Sequence, residues 1–426
     1  MRTSARPSAA VVGSGVSGLT AAYLLQRNHD VTLFEADDRL GGHAHTHDVL
    51  TSDGRIVCID SGFIVHNDRT YPRLLRLFGE LGVATQPAEM SMSVRCDGCG
   101  LEYAGARGIG GLFAHARQAV SPAFVRMLTE VKRFHRRARA LLEDGAAAET
   151  PEPLTLGRFL EAGGYSLGFV RHFMIPVVSC VWSCPPRTAL SYPARYLFQF
   201  LHHHGMLTTM GKPRWRTVTG GSRRYVERIA GQLSATAIRN PVRAVRRRDE
   251  GVDVCDAEGA VRRFDKVVVA THADQALALL AEPTSAERRV LGAFTYSRNE
   301  AVLHTDASLL PRAARARASW NYLLDRCDAE SPSVRVSYWM NRLHRLDEPR
   351  DYLVTLNPGV LDERVVLARM VYDHPVYTPA SVEAQAGLPD LNDRRLAFAG
   401  AYHGWGFHED GCASGVRAAE ALGASW

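Results

Sequence analysis

The sequence predicts an α/β protein in which a dinucleotide-binding domain is interleaved with an α+β domain containing an antiparallel sheet. Three observations point there. A βαβ fingerprint opens the chain, a buried strand leading into a loop stands in its middle, and a glycine-rich strand-to-helix passage closes it. At about 150 residues per domain, 426 residues would suggest two or three domains in series. Because pieces of one domain lie at both ends and in the centre, two interleaved domains are expected instead.

The first unit begins with the apolar strand Ala9 to Val12 and runs into Gly13-Ser14-Gly15-Val16-Ser17-Gly18. A helix follows with Leu19, Ala22, Leu24 and Leu25 apolar, then the strand Val31 to Phe34, ending at Glu35. Gly13 permits the tight turn, Gly15 lets a pyrophosphate approach the backbone, and Gly18 lets helix and strand pack. The helix N-terminus offers free N–H groups and partial positive charge to phosphates. Glu35 stands where a carboxylate accepts both ribose hydroxyls, which disfavours a 2′-phosphate and hence NADP.

The next residues are Asp38-Arg39-Leu40-Gly41-Gly42-His43. The pattern GxGxxG, Glu35, Arg39, Gly41-Gly42 and Thr46 resembles flavin amine oxidases, phytoene desaturases and protoporphyrinogen oxidases. That resemblance implies FAD as cofactor, held by a Rossmann-like domain of the glutathione-reductase/amine-oxidase type. It implies contacts from Ser14, Val16, Ser17, Ala36 and the glycine pair, and from Ser61, Gly62 and Phe63 beside the flavin. His43 departs from the arginine common in that group.

Further along, Phe264 to Ala270 reads as a buried strand, preceded by a strand pair, Ala244-Val245 and Gly251 to Val254. In the resembled group this block lies under the adenosine, which implies contacts from Val242 and Ala270. At the C-terminus a strand ends at Gly400 and a helix begins near Asp410, with Gly411, Ala413, Ser414 and Gly415 small. The resemblance implies that Gly400, Glu409, Asp410 and Gly411 meet the cofactor, the small residues letting the helix approach it. Ala401 departs from the acid or threonine usual there. Blocks at Asp60 to Val65, Trp215 to Gly221, Leu303 to Asp306, Tyr338 to Asn341 and Gly406 to Gly411 are similar to a bacterial subfamily found beside, or fused to, cyclopropane fatty-acid synthases. That association suggests a fatty-acyl substrate. No second GxGxxG follows a strand, so oxygen or an electron carrier is the expected electron acceptor.

The expected FAD-binding domain comprises residues 1–85, 210–275 and 390–426, and the substrate domain 86–209 and 276–389. Strands of the latter are expected at Ala301 to His304, Val334 to Asn341, Tyr352 to Leu356 and Val365 to Tyr372. Met90, Met92, Val94 and Cys96 alternate with polar residues, and Asp97-Gly98 signals a two-residue type I′ turn. Cys96 and Cys99 would then close a hairpin whose apolar face, with Leu101, forms a pocket wall. Zinc would need two more ligands, for which Cys180 and Cys184 are the candidates. No metal is assigned there, nor to His43, His45 and His47, nor to His202-His203-His204.

His66, Tyr402 and His408 are the candidate catalytic residues. His408 and His66 suggest proton carriers because free imidazole titrates near neutrality, and Tyr402 belongs to an aromatic cluster with His403, Trp405 and Phe407. Lys212 precedes the strand on which amine oxidases place a lysine, and that role is not transferred to it. Ser121-Pro122 starts a helix with an apolar stripe of Phe124, Leu128, Val131, Ala138 and Leu142. Its basic residues Arg126, Lys132, Arg133, Arg136, Arg137 and Arg139 face water, anionic lipid or an acidic carrier protein.

Net charge is +6, yet only Lys132, Lys212 and Lys266 among 51 basic residues are lysines, and the arginines mix with 45 acids. Such a surface is no phosphate-tracking stripe, so nucleic acid is not an expected partner. The polar start, without an apolar core or cleavage site, gives a cytoplasmic expectation. The predicted activity is hydride removal, as oxidase or desaturase, from an apolar, fatty-acyl or other lipid-like small molecule. Amine oxidation, redox-neutral double-bond isomerisation, and a flavin-bearing accessory subunit of a lipid-modifying methyltransferase are the alternatives.

Overall fold

The computed structural model describes residues 6–144, 153–208, 213–327 and 333–426. Its first sheet has five parallel strands in the order Thr236–Arg239, Asp30–Glu35, Ser8–Val12, Lys266–Val269, Leu396–Phe398. The central strands are apolar almost throughout because both faces are covered. The fingerprint helix Val16–Leu25 and the C-terminal helix His408–Ala421 pack on one face. A three-stranded antiparallel sheet, Val242–Arg248, Gly251–Asp256 and Val261–Phe264, covers the other. Phe264 therefore closes that small sheet and does not begin the strand Lys266–Val269.

At the tight turn after the first strand, Gly13 has φ +98° and a Cβ there would lie 2.6 Å from the Ala270 carbonyl. The small residues of the C-terminal helix serve a different neighbour from the one expected. A Cβ on Gly411 would lie 2.6 Å from Val16, and one on Gly415 would run into the Ser17 carbonyl. They let this helix press against the fingerprint helix.

A seven-stranded sheet follows the order Val366–Val376, Thr295–His304, Leu353–Leu356, Val336–Trp339, Trp320–Leu324, Met92–Cys96, Leu101–Ala104. Neighbours are antiparallel except Trp320–Leu324 and Met92–Cys96, which run parallel. Val334 to Asn341 is not one strand, since a helical turn, Met340–Leu343, begins where Trp339 ends. Helices Pro122–Glu143, Ile175–Trp182 and Ala194–His203 share this sheet's core. The buried stripe of Pro122–Glu143 is Phe124, Met127, Glu130, Phe134 and Ala138, while Leu128, Val131 and Leu142 are half-buried.

The Cys96–Cys99 segment also differs from expectation. Cys96 pairs with Leu101, so the connection spans residues 97–100 and Cys99 lies outside the ladder. Gly100, at φ +68°, donates its N–H to the Cys96 carbonyl at 2.9 Å. A two-residue type I′ turn is not formed, since the bond to the Cys96 carbonyl comes from Gly100 and not from Cys99; the Asp97 N–H bonds the Leu324 carbonyl of the adjoining strand at 2.8 Å. Among the described residues no helix is long and apolar enough to cross a membrane.

Candidate active site

At the carboxyl ends of the parallel strands a cavity of about 1260 Å³ opens. Single small-molecule pockets usually hold about 300–1,000 Å³, so there is room for a cofactor and a substrate together. Gly13, Ser14, Gly15, Val16, Ser17, Glu35, Ala36, Gly42, His43, Ser61, Gly62, Phe63, Val242, Ala270 and Gly400 line it. The fingerprint helix starts at Gly15 with no side-chain cap, so its first amides face the cavity unclaimed by a side chain. Glu35 lies at the end of its strand, accepting the Ser14 N–H at 2.9 Å and also bonding the Ser14 hydroxyl. Its other carboxylate oxygen accepts the N–H groups of Ala36 and Asp37 at 2.7 and 2.9 Å.

Gly18, Arg39, Gly41, Glu409, Asp410 and Gly411 do not line the cavity. They build it from behind. Arg39 donates to the carbonyls of Gly42 and Ala44 at 2.7 and 3.4 Å, and the Gly41 N–H meets the Ser14 carbonyl at 3.0 Å. Glu409 accepts the Arg73 and Leu74 N–H groups at 3.0 and 2.9 Å, thereby capping the helix Pro72–Leu81. Asp410 accepts the Phe407 N–H at 2.9 Å, and burial, then the neighbouring Glu409 charge, push its carboxyl up to about 7. Asp60, quoted above within a motif, is a buried anchor: it accepts the Ser222 N–H at 2.8 Å and the Thr46 hydroxyl at 2.5 Å.

His66 is a correction. It is fully buried among Phe63, Tyr71 and Phe78, does not line the cavity, and neither ring nitrogen has a hydrogen-bond partner. Burial and the Arg216 charge push it down to about 4, so it is neutral at pH 7. His408 does line the cavity, stacked on Phe63 at 3.7 Å between ring centroids, with Nε2 hydrogen-bonded to the Tyr225 hydroxyl at 3.0 Å. Burial and His66 hold it near 3, which removes the near-neutral titration that made it a proton-carrier candidate. Tyr402 also lines the cavity, and burial raises its phenol well above the usual range. Lys212 lies outside the described residues.

His43, His45 and His47 gather around Tyr372 and Ser61, the His45 and His47 rings lying 4.1 Å apart between centroids. His43 lines the cavity near Tyr372 and His374, with ring centroids 4.9 and 5.8 Å away. His45 bonds the Tyr372 hydroxyl at 3.0 Å and His47 bonds Ser61 Oγ at 2.8 Å. Burial, then His374 and His272, depress His43 well below its ordinary value.

The remaining wall comes from the seven-stranded sheet and its helices. Met90, Met92 and Val94 take part, but Tyr103 stands there instead of Leu101. Sequence reasoning missed Phe134, Phe173, Val177, Trp182, Phe200, Leu207 and Tyr372, all of which line the cavity. The apolar run Phe173 to Trp182 is a signal for Phe173, Val177 and Trp182 alone. The acids among the described lining residues are Glu35, Asp37 and Asp373, and no lysine or arginine joins them.

The family model for flavin-containing amine oxidoreductases matches residues 16–307. The chain belongs to this family. Members of this family are flavin-containing oxidoreductases. It is 57% identical to tryptophan 2-monooxygenase of Allorhizobium ampelinum over 44 residues, which is 10% of this chain and 6% of that protein. A protein of Mycobacterium tuberculosis described as a flavin-containing monoamine oxidase is 27% identical over 266 residues, 58% of this chain and 53% of its own length. The chain thus spans about half of one curated relative and a small part of the other. Cyclohexylamine oxidase from Brevibacterium oxydans superposes with a TM-score of 0.69 at 17% identity, over 98% of both chains. A fatty acid isomerase from P. acnes, producing CLA, gives 0.66 at 16% identity, over 96% of this chain and 97% of that one. These likenesses establish the amine-oxidase fold. The cavity fits FAD, because its fingerprint end combines an uncapped helix N-terminus with a carboxylate at the second strand's end.

Proposed function

We propose that this flavoenzyme oxidises or desaturates an apolar, lipid-like substrate, in keeping with the fatty-acyl association of the resembled subfamily. One observation carries the reading. Away from the fingerprint, Met90, Met92, Val94, Phe134, Phe173, Val177, Phe200 and Leu207 make an apolar wall, and beyond Glu35 and its near neighbour Asp37 the only acid among the described lining residues is Asp373. A desolvated ammonium group would gain little there, whereas each buried methylene contributes about 0.8 kcal/mol.

FAD supplies the hydride-accepting ring when bound. In this reading the amides at Gly15 to Ser17 take the pyrophosphate and Glu35 takes the adenosine ribose, with Val242 and Ala270 beside the adenine. Gly42, His43, Ser61, Gly62, Phe63 and Gly400 line the rest of the cofactor's path, and Arg39, Gly41, Glu409, Asp410 and Gly411 hold those segments in place. Residues 1–85, 210–275 and 390–426 act as the FAD-binding domain, and 86–209 with 276–389 as the substrate domain. The neutral Tyr402 and His408 shape the wall and exclude water, and no strong base is required of them. Electrons leave to oxygen or a carrier.

A second reading, amine oxidation, is favoured by the aromatic faces of Trp182, Tyr372 and Phe407 on the cavity wall, which attract cations. The fatty acid isomerase of the same fold supports a fatty-acyl occupant and a redox-neutral outcome. Anaerobic titration of the flavin absorbance separates these readings. Unsaturated fatty-acyl lipids are expected to bleach the flavin and amines to leave it oxidised. Bleaching by amines alone would replace the proposal with amine oxidation, and double-bond migration without net bleaching would replace it with isomerisation. Turnover only in the presence of a lipid-modifying methyltransferase would indicate an accessory subunit.

A further inference from the structure

The cysteines left unassigned above converge with two distant residues. Cys96 and Cys99 bracket the tip of the hairpin formed by Met92–Cys96 and Leu101–Ala104. Parallel pairing of Cys96 with Leu324 brings the loop after Trp320–Leu324 alongside that tip. Gly98 permits the close approach, since a Cβ there would lie 2.9 Å from the Arg326 backbone. Cys327 Sγ then lies 3.6 Å from Cys96 Sγ. On the other side, the Tyr103 hydroxyl donates to the His172 carbonyl at 2.7 Å. His172 belongs to a π-helical turn, Val170–Met174, a local change of winding often found at functional sites. Its Nε2 lies 3.7 Å from Cys99 Sγ, and the four ligand atoms all lie within 4.8 Å of one another.

We propose that Cys96, Cys99, Cys327 and His172 form a structural zinc site. Tetrahedral zinc with Zn–S of about 2.3 Å and Zn–N of about 2.0–2.1 Å has ligand–ligand edges of about 3.6–3.8 Å. The two measured edges, 3.6 and 3.7 Å, match that figure. A disulfide needs about 2.0 Å between sulfurs, and any one disulfide would strand a third thiol beside the imidazole. Three thiolates and one imidazole are soft and borderline donors that suit zinc and leave no open position for catalysis. Cys96 is buried while Cys99 is exposed and the other two are half-buried, so an ion reaches the site from solvent.

None of the four side chains lines the cavity, yet Met92, Val94, Phe173 and Met174, on the same elements, do. The metal therefore staples the hairpin, the π-helical turn and the loop after Leu324 into one wall behind the apolar surface. Its function is to fix that wall rather than to take part in flavin chemistry.

Elemental analysis of the full-length protein, purified with reductant and loaded with Zn²⁺, is expected to show about one zinc per chain. Co²⁺ in its place should give a thiolate charge-transfer band and tetrahedral d–d bands. Cys99→Ser and Cys327→Ser should each weaken metal binding at least tenfold while retaining flavin absorbance, and Cys255→Ser should bind metal as the parent does. A parent protein that takes up neither Zn²⁺ nor Co²⁺ under reducing conditions would overturn the site, and needs no variant to be informative. Unchanged metal content in both Cys99→Ser and Cys327→Ser would overturn it as well.

Discussion

His66 and His304 are two of the buried histidines that set the acid limit of this protein. Both are fully buried, and burial pushes each down to about 4, from an ordinary value of 6.5. His304 is held in its neutral form by geometry: Nδ1 accepts the Asp306 N–H at 3.1 Å, leaving Nε2 to donate to Thr355 Oγ1 at 2.7 Å. Between pH 6.5 and 4 the unfolded chain binds protons at these sites and the folded chain does not, so stability falls as pH falls. At pH 5 each site costs about 2 kcal/mol relative to neutral pH, a large share of ordinary stability. Asp410 works in the opposite sense, because its raised folded value favours the folded state more as pH drops below about 7. His204 and His374 are likewise pushed down to about 4, and His45, His403 and His408 to about 3, whereas only Asp410 and Glu409 are raised carboxyls beside them, so the urea midpoint is expected to fall between pH 7 and pH 5. A midpoint that stays level or rises over that interval would defeat this account.

Among the elements, the basic helix Pro122–Glu143 has the most consequential surface. Four of its six basic residues are already engaged, Arg139 by donating to the His135 carbonyl at 3.3 Å. Arg133 lies over the Tyr165 ring at 4.3 Å, Arg137 over Phe159 at 5.4 Å, and Arg126 pairs with Glu130 at 3.3 Å. Lys132 and Arg136 remain exposed, while Val131, Phe134 and His135 of the same helix line the cavity. A helix with one face on the cavity and a cationic face outward suits delivery of a lipid from an anionic surface. Lys132→Glu with Arg136→Glu is expected to lower binding to anionic liposomes at least thirtyfold, since loss of two cations alone costs about 2 kcal/mol at about 1 kcal/mol per charge near the surface. Equal sedimentation of parent and variant would remove lipid from this face. The helix itself was legible because Ser121, Pro122 and a 3.6-residue period are local signals. The fingerprint was legible for the same reason, since Gly13 to Glu35 is one continuous stretch. The zinc ligands were not, because Cys327 lies 231 positions from Cys96 and only strand pairing unites them. Glu409 misled for a related reason. Its motif position suggested the cofactor, but its carboxylate is spent on a helix N-terminus over 330 positions away.

At the scale of the whole molecule, the order of strands makes the chain's end indispensable to its beginning. Leu396–Phe398 pairs with Lys266–Val269, which pairs with Ser8–Val12, so one parallel sheet draws on three separated regions. The helix His408–Ala421 then lies on the fingerprint helix, with Gly411 against Val16 and Gly415 against Ser17. Removing residues 390–426 would expose Val267, Val268 and Val269 at a new sheet edge and uncover the side of the fingerprint helix that faces Gly411. Such an edge invites aggregation, and the loop at Gly13 would lose the packing that fixes it against Ala270. The cavity would also lose Gly400, Tyr402, Phe407 and His408 from its wall. A chain ending at residue 389 is therefore expected to purify without flavin and to unfold at least 10 °C lower, given that a few kcal/mol shifts a large domain by several degrees per kcal/mol. Tm and bound-flavin absorbance are read on the same sample. A truncated chain that keeps stoichiometric FAD would show that residues 1–389 bind the cofactor without the C-terminal segment, and the assignment of 390–426 to the FAD-binding domain would have to be abandoned.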